Sequence, residues 1–358
     1  MADSIANGHG KSMAIWFPLK TTATTSPVVD LHFNLWRLDH RKQKAKKSSV
    51  LDLLDIGILI SRPSDFNSVK FYLPINIERK DIEDLGPKFQ NHSIATSIFN
   101  ERLKVSTDQN NVIVLEGADN VVFCGVFRFP TTGNQISEND LEIDPEHEGT
   151  TFTITQTALT DACRTLKPGN KLYFRFRIKI PKVGFGTFVN AAVPHDRWLT
   201  SGMDVTEYLD FRLNQARNLH PGIARNLPLA TLEPESSPLA EINRVDFLLA
   251  VGVTVDVVVG YPEFHKCRLL EKDLWKSYVD EAHLNNGLVV YHWRALSKDK
   301  KIIDFNAFVK LRLRLSGLGI IWRYLCFAVL IGVVGNSAYS LFALLGHPLK
   351  WLLHLLKP

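Results

Sequence analysis

One stretch constrains this chain more than any other. Residues 324–346, YLCFAVLIGVVGNSAYSLFALLG, hold twenty-three positions and no charge. As a helix rising about 1.5 Å per residue it would run roughly 34 Å, against a hydrocarbon thickness of about 30 Å. The sequence therefore predicts a C-terminal single-pass transmembrane helix. A core helix can also be apolar all round, but seldom over twenty uncharged residues. The third option is a hairpin turning at Gly335-Asn336, which would put Arg323 in one arm and Pro348 with Lys350 in the other. Lys298, Lys300, Lys301, Lys310, Arg312 and Arg314 precede the stretch and Arg323 borders it, whereas only Lys350 and Lys357 follow. That asymmetry predicts an inner (cell) membrane location with the N-terminal bulk cytoplasmic. Trp322, Tyr324 and Trp351 suit the two aromatic belts.

Ala328, Gly332, Asn336 and Ser340 recur every fourth residue and so share one helix face. Small residues let backbones approach, and an amide in hydrocarbon needs a partner, so this face predicts membrane association as a homo-oligomer. Gly and Ser are also simply frequent in membrane helices, which is the plainer explanation. Residues 347–358 read as a short interfacial tail.

The chain has 358 residues, 45% of them apolar, and a formal charge of +5. That allows a packed core and suggests two domains. The mild charge comes partly from the flank of the uncharged stretch, so it is weak support for nucleic-acid binding. Cys124, Cys163, Cys267 and Cys326 are scattered, which writes neither a disulfide framework nor a zinc knuckle.

Residues 1–26 are small and polar and read as a mobile N-terminal tail with an apolar island at Trp16. Its Gly8-His9-Gly10-Lys11-Ser12 lacks the first glycine of a phosphate loop, since Ile5 stands there. Residues 27–135 read as a β-rich lobe: Leu31, Phe33 and Leu35 alternate with His32, Asn34 and Trp36. The basic run at 40–47 reads as a solvated hairpin loop or a contact for anionic lipid or phosphate. An acidic tract, Glu138 to Glu148 on alternate positions, makes 136–149 an acidic linker or a salt-sensitive cover for a basic face. It fails as a calcium loop because Thr155 stands where the bidentate carboxylate belongs.

A second β-rich lobe is expected over 150–300, with a proline-rich linker near 225–240. Its clearest strand is LYFRFRIKI. Leu172, Phe174, Phe176, Ile178 and Ile180 make a dry face; Tyr173, Arg175, Arg177 and Lys179 make a basic, partly aromatic one. Cations interleaved with a stacking ring suit a nucleotide or single-stranded nucleic acid, although a solvated strand face has the same look. A helix is expected from Asp204, with Glu207 closing a capping box and Val205, Leu209, Leu213 and Ala216 in a stripe. Residues 301–323 read as a basic juxtamembrane segment, with a cationic helix from Asp304 favoured over a strand.

No GxSxG, HExxH, CxxC or GxGxxG is present. The weak catalytic candidates are His195 with Asp196, and Glu263 with His265; Glu263, His265 and Cys267 alternate but lack a further metal ligand. The sequence thus implies no metal and no cofactor, and it leans away from an enzyme.

Taken together, the expected fold is a β-rich α+β module of antiparallel sheets and few helices on a transmembrane anchor. The expected function is binding or sensing. A nucleotide or nucleic-acid ligand at Tyr173, Arg175, Arg177 and Lys179 would control self-association of the anchor, the layout of a bacterial antiviral (defence) effector. The alternatives are a membrane-tethered enzyme acting on nucleic acid or nucleotides, and a membrane scaffold that recruits a protein partner through a sheet edge.

Overall fold

A computed structural model describes residues 11–23, 25–37, 50–133, 135–181, 187–192, 204–227, 240–280, 284, 287–298, 301–314, 322 and 324–340. The strands of the N-terminal half are β1 (Ala14–Trp16), β2 (Val28–Arg37), β3 (Val50–Ile60), β4 (Val69–Leu73), β5 (Ile82–Asp84), β6 (Lys104–Gln109), β7 (Val112–Glu116), β8 (Val122–Phe127), β9 (Thr131–Thr132) and β10 (Gln135–Ile136). Those that follow are β11 (Leu141–Glu146), β12 (Gly149–Ile154), β13 (Leu172–Pro181), β14 (Val189–Ala192), β15 (Asp204–Leu213), β16 (Glu241–Gly252), β17 (Val255–Tyr261), β18 (Lys266–Leu269), β19 (Leu288–Leu296) and β20 (Phe305–Arg314). Among the described residues, four short helices lie between the strands: α1 (His92–Phe99), α2 (Gln156–Thr165), α3 (Pro221–Ala224) and α4 (Lys272–Trp275). Asn91 and Thr155 cap α1 and α2, their side chains accepting from Ser93 N and Ala158 N. The expected β-rich character is therefore met.

The largest sheet has ten strands, ordered β18-β19-β16-β2-β3-β13-β8-β7-β6, with β5 also on β13. It is mostly antiparallel, but β16 runs parallel to β2 and β13 parallel to β8. Two four-stranded sheets, β1-β4-β12-β11 and β14-β15-β20-β17, carry the second layer. The period-two pattern explains the packing. Phe33, Phe176 and Phe247 leave one face of the large sheet and meet the smaller sheets through ring pairs. Phe71 stacks on Phe152 at 4.6 Å and on Phe176 at 5.1 Å; Phe211 lies 5.1 Å from Phe33 and 4.2 Å from Phe247. Burying rings of this size contributes about 1.5–3 kcal/mol each, so this dry layer is the main source of stability.

Two expected helices are strands. Residues 204–213 form β15, with Leu209, Phe211 and Leu213 buried. The stripe at every fourth position fits a period of two as well as one of 3.6, and Thr206, Tyr208 and Phe211 favour the pleat. Glu207 caps nothing; it is buried against Arg37. Residues 305–314 form β20, where Phe305, Ala307, Val309 and Leu311 are buried at alternate positions. The tract at 136–149 is no linker: β11 pairs residue by residue with β12.

By internal contacts the chain groups into one unit of residues 1–192 with 206–312, and a second of residues 193–205 with 313–358. In the second unit, the uncharged stretch is helical over 324–340. Among the described residues no helix is long and apolar enough to cross a membrane. This corrects the single-pass transmembrane anchor and the inner-membrane placement; the association face of Ala328, Gly332, Asn336 and Ser340 was expected on that anchor. The Ser340 hydroxyl donates to Asn336 O at 2.9 Å and so is satisfied within its own helix. Residues 341–346, the tail at 347–358, the basic run at 40–47 and most of the linker at 225–240 lie outside the described residues.

Candidate functional site

The other face of the large sheet is polar, and its register builds the site. Across four antiparallel and parallel pairings, Arg294, Asp246, His32, Gly57 and Arg175 stand in one row. The next row reads Lys266, His292, Leu248, Asn34, Asp55 and Arg177. Neighbours in a row lie about 5 Å apart, so charges of opposite sign meet without long side chains having to search. Gly57 is required here. A Cβ at that position would lie 2.8 Å from Tyr173 Cζ and 3.0 Å from Arg175 Nη1. The bare backbone lets both side chains lie flat across it.

Asp55 anchors the buried end. It is fully buried, and it accepts from Trp36 Nε1 at 2.8 Å, Tyr278 Oη at 2.9 Å, and Arg177 Nε and Nη2 at 2.6 and 3.0 Å. Burial alone would raise its carboxyl, but the charge and bonds of Arg177, then of Arg175 and Trp36, hold it below the usual carboxylate range. The pair is bidentate, the strong form of an arginine–carboxylate contact.

Arg175 is different. It is fully buried, yet its hydrogen-bond partners are neutral: Nε donates to Tyr278 Oη at 2.6 Å and Nη1 to Tyr173 Oη at 2.8 Å. Asn34, with its amide turned to match donors with acceptors, takes Nη2 at 3.1 Å. The nearest carboxylate, Asp55, is 3.8 Å away and already engaged by Arg177. A guanidinium taken out of water with neutral hydrogen-bond partners, and a carboxylate it must share with a second arginine, is costly, by several kcal/mol, unless a further anion joins it.

Beside Arg175 opens a cleft of about 340 Å³ between the sheet, α1 and α4. Its polar half holds His32, Asp246, His292, Arg244, Arg294 and Lys266; its apolar half holds Trp36, Ile98, Phe99, Leu270 and Trp275. Asp246 accepts on Oδ1 from His292 Nε2 at 2.7 Å and Arg294 Nε at 2.6 Å. Burial acts to raise its carboxyl, but these donors and the charge around it win and hold it well below the usual range. Arg244 Nη2 donates to His32 Nε2 at 3.1 Å, which fixes the His32 tautomer: the proton is on Nδ1, which donates to Tyr173 Oη at 3.2 Å. Burial pushes His32 down to about 3 against the opposing pull of Asp246, and the neighbouring Arg244, Arg175 and Arg294 lower it further, so it stays neutral. Five cations, Arg175, Arg244, Lys266, Arg268 and Arg294, line the cleft against one carboxylate, Asp246. Among the described residues that line the cleft, two buried donors stay unpaired: Trp275 Nε1, and Arg244 Nε, which sits 3.2 Å from Asp246 Oδ2 in a charge contact without a hydrogen bond.

The four positions read as a basic face thus separate. Tyr173, Arg175 and Arg177 share the network, but only Arg175 borders the cleft. Lys179 sits 3.7 Å from Glu83 and lines a second hollow of about 550 Å³ with Asp84 and Arg128. Glu263 and His265 are exposed beside β18, and Cys267 lines the cleft. Among the described residues no three such side chains group as metal ligands. His195 and Asp196 lie outside the described residues. Sequence reasoning missed His32, Asp246, Arg244, His292 and Arg294. The signal was present: Asp246 is the one charge in the apolar run VDFLLAV, and Asp55 in LLDIGILI, and a charge inside a buried strand needs partners.

No family model matches the chain, and no curated protein matches it. The Fcho1 Mu homology domain of Danio rerio, solved with a bound Eps15 peptide, aligns over 84% of this chain and 81% of its own at 11% identity. Its TM-score is 0.14, and at that value the likeness carries no argument.

Proposed function

We propose that this chain is a binding module that takes a nucleotide-sized anion in the cleft beside Arg175, and so senses that ligand. The observation that carries the reading is Arg175 itself: a fully buried guanidinium at the cleft wall whose hydrogen-bond partners are Tyr173, Tyr278 and Asn34, all neutral. An anion there completes its charge balance. Arg244, Arg294 and Lys266 add further donors, and the aromatic half of the cleft offers a wall for a flat ring. The volume is at the low end of small-molecule sites, roughly 300–1,000 Å³, so it suits a single nucleotide better than a polymer.

The test is titration calorimetry of the full-length chain with ATP, AMP, cyclic AMP and inorganic phosphate. Saturable one-site binding of a nucleotide, weakened at least about tenfold in Lys266→Ala with Arg268→Ala, supports the reading. Those two lie on the four-residue edge strand β18, so their loss leaves the fold intact. Absence of binding by all four probes overturns it.

A further inference from the structure

Within the cleft one side chain is arranged for chemistry as well as for binding. His292, on β19, donates through Nε2 to Asp246 Oδ1 at 2.7 Å. A carboxylate only accepts, so Nε2 carries the proton and the Nδ1 lone pair is left over. Among the described residues Nδ1 has no protein partner, and the His292 side chain keeps 16% of its surface exposed. His292 is also a wall of the cleft, as are the cations Arg244, Arg294 and Lys266. An imidazole in the wall of a ligand site, with one nitrogen fixed by a carboxylate and the other without a protein partner, is how a general base is built. His32 lies on the opposite side of Asp246, 3.7 Å from Oδ2, but both its nitrogens are engaged. The two histidines that share one carboxylate therefore have different roles: His32 is locked and His292 is free to act.

We infer that the cleft hydrolyses a small phosphodiester, with His292 as the catalytic base, Asp246 as its positioning residue, and Arg244, Arg294 and Lys266 around the phosphoryl oxygens. This rests on the anion reading of the cleft. His292 Nδ1 takes a proton from a water molecule, and the water oxygen forms a bond to phosphorus. The opposite P–O ester bond breaks. The departing oxygen takes a proton from solvent at the cleft mouth, and the imidazolium returns its proton to solvent. One water and one diester become a monoester and an alcohol, with no electron transfer and no further reactant. The guanidinium groups balance the charge that gathers on the phosphoryl oxygens in the transition state.

The decisive variant is His292→Gln. Its side-chain amide can still donate to Asp246, in the place of Nε2, but it has no lone pair where Nδ1 stood. The full-length chain is given adenosine 2′,3′-cyclic phosphate and, separately, bis(p-nitrophenyl) phosphate. Binding is read by calorimetry and turnover by product separation or p-nitrophenolate release. The expected result is turnover by the wild type that falls at least about 100-fold in His292→Gln, the usual contribution of a positioned base, while binding changes less than about threefold. Binding without turnover in the wild type, or equal turnover in His292→Gln, overturns the base and leaves the anion site standing. Absence of both binding and turnover overturns the two together.

Discussion

Asp55 is the residue on which the polar face depends most, and Asp55→Asn is the sharpest test of that. The carboxylate is fully buried and takes four hydrogen bonds from Trp36, Tyr278 and Arg177. Replacing it with an amide keeps the shape and one acceptor oxygen but removes the charge. Arg177 then has no carboxylate at hydrogen-bond distance, and Arg175 loses the one at 3.8 Å. Breaking a buried pair by deleting one partner costs about 3–5 kcal/mol, because the remaining charge is stranded. At about 2 °C of melting midpoint per kcal/mol for a large domain, that is a fall of about 6–10 °C. The assay is circular-dichroism melting of the full-length chain at neutral pH. Coupling is read from a second variant, Asp55→Asn with Arg177→Met, which removes the stranded guanidinium as well. The account expects this double variant to melt above the sum of its two single losses. A midpoint for Asp55→Asn within about 1 °C of wild type, or additive losses in the cycle, refutes the reasoning.

The remaining predictions concern the same face. Asp55 has a folded pKa below its unfolded value of 3.8, so its stabilisation is complete above about pH 4 and is lost as pH falls further; acid titration of stability should steepen there, and should not in Asp55→Asn. His32 is neutral when folded, with its pKa at about 3, against 6.5 unfolded, so between those values the unfolded chain binds the extra proton and stability falls as pH drops. Denaturant melts of His32→Gln at pH 6 and pH 5 should show a slope smaller than wild type by about 1.4 kcal/mol per pH unit, and an unchanged slope would contradict the buried neutral imidazole. Gly57→Ala pushes a methyl into Tyr173 and Arg175 and should cost about 1–3 kcal/mol, read by the same melts; a neutral effect would mean that those side chains do not cross the bare backbone. Phe71→Ala empties the ring stack between the sheets and should cost about 3–5 kcal/mol without altering nucleotide binding.

Particular strands show what could be read from sequence. LYFRFRIKI alternates strictly, and β13 buries Phe174 and Phe176 on one side as that alternation requires. The basic side was legible as well, but its burial was not: Arg175 and Arg177 look like solvated cations until Asp55, 120 or more residues earlier in the chain, is placed beside them. Register brings them together, and register is a tertiary property. The strand at 204–213 was misread because a repeat of four satisfies both periods, and only pairing with β14 decides between them. The uncharged stretch at 324–346 was read as a membrane span on composition alone, and among the described residues no helix is long and apolar enough to cross a membrane. His292 and Asp246 lie 46 residues apart on neighbouring strands, so no short motif could have announced the pair.

The central claim is that Arg175 waits for an anion. Calorimetry of the full-length chain at about 50 mM and then about 200 mM salt, with the nucleotide that binds best, tests it against Arg175→Gln. The account predicts saturable binding in the wild type that weakens with salt and is lost in Arg175→Gln while the melt stays cooperative. Equal affinity in the two proteins, or wild-type affinity indifferent to salt, would contradict it.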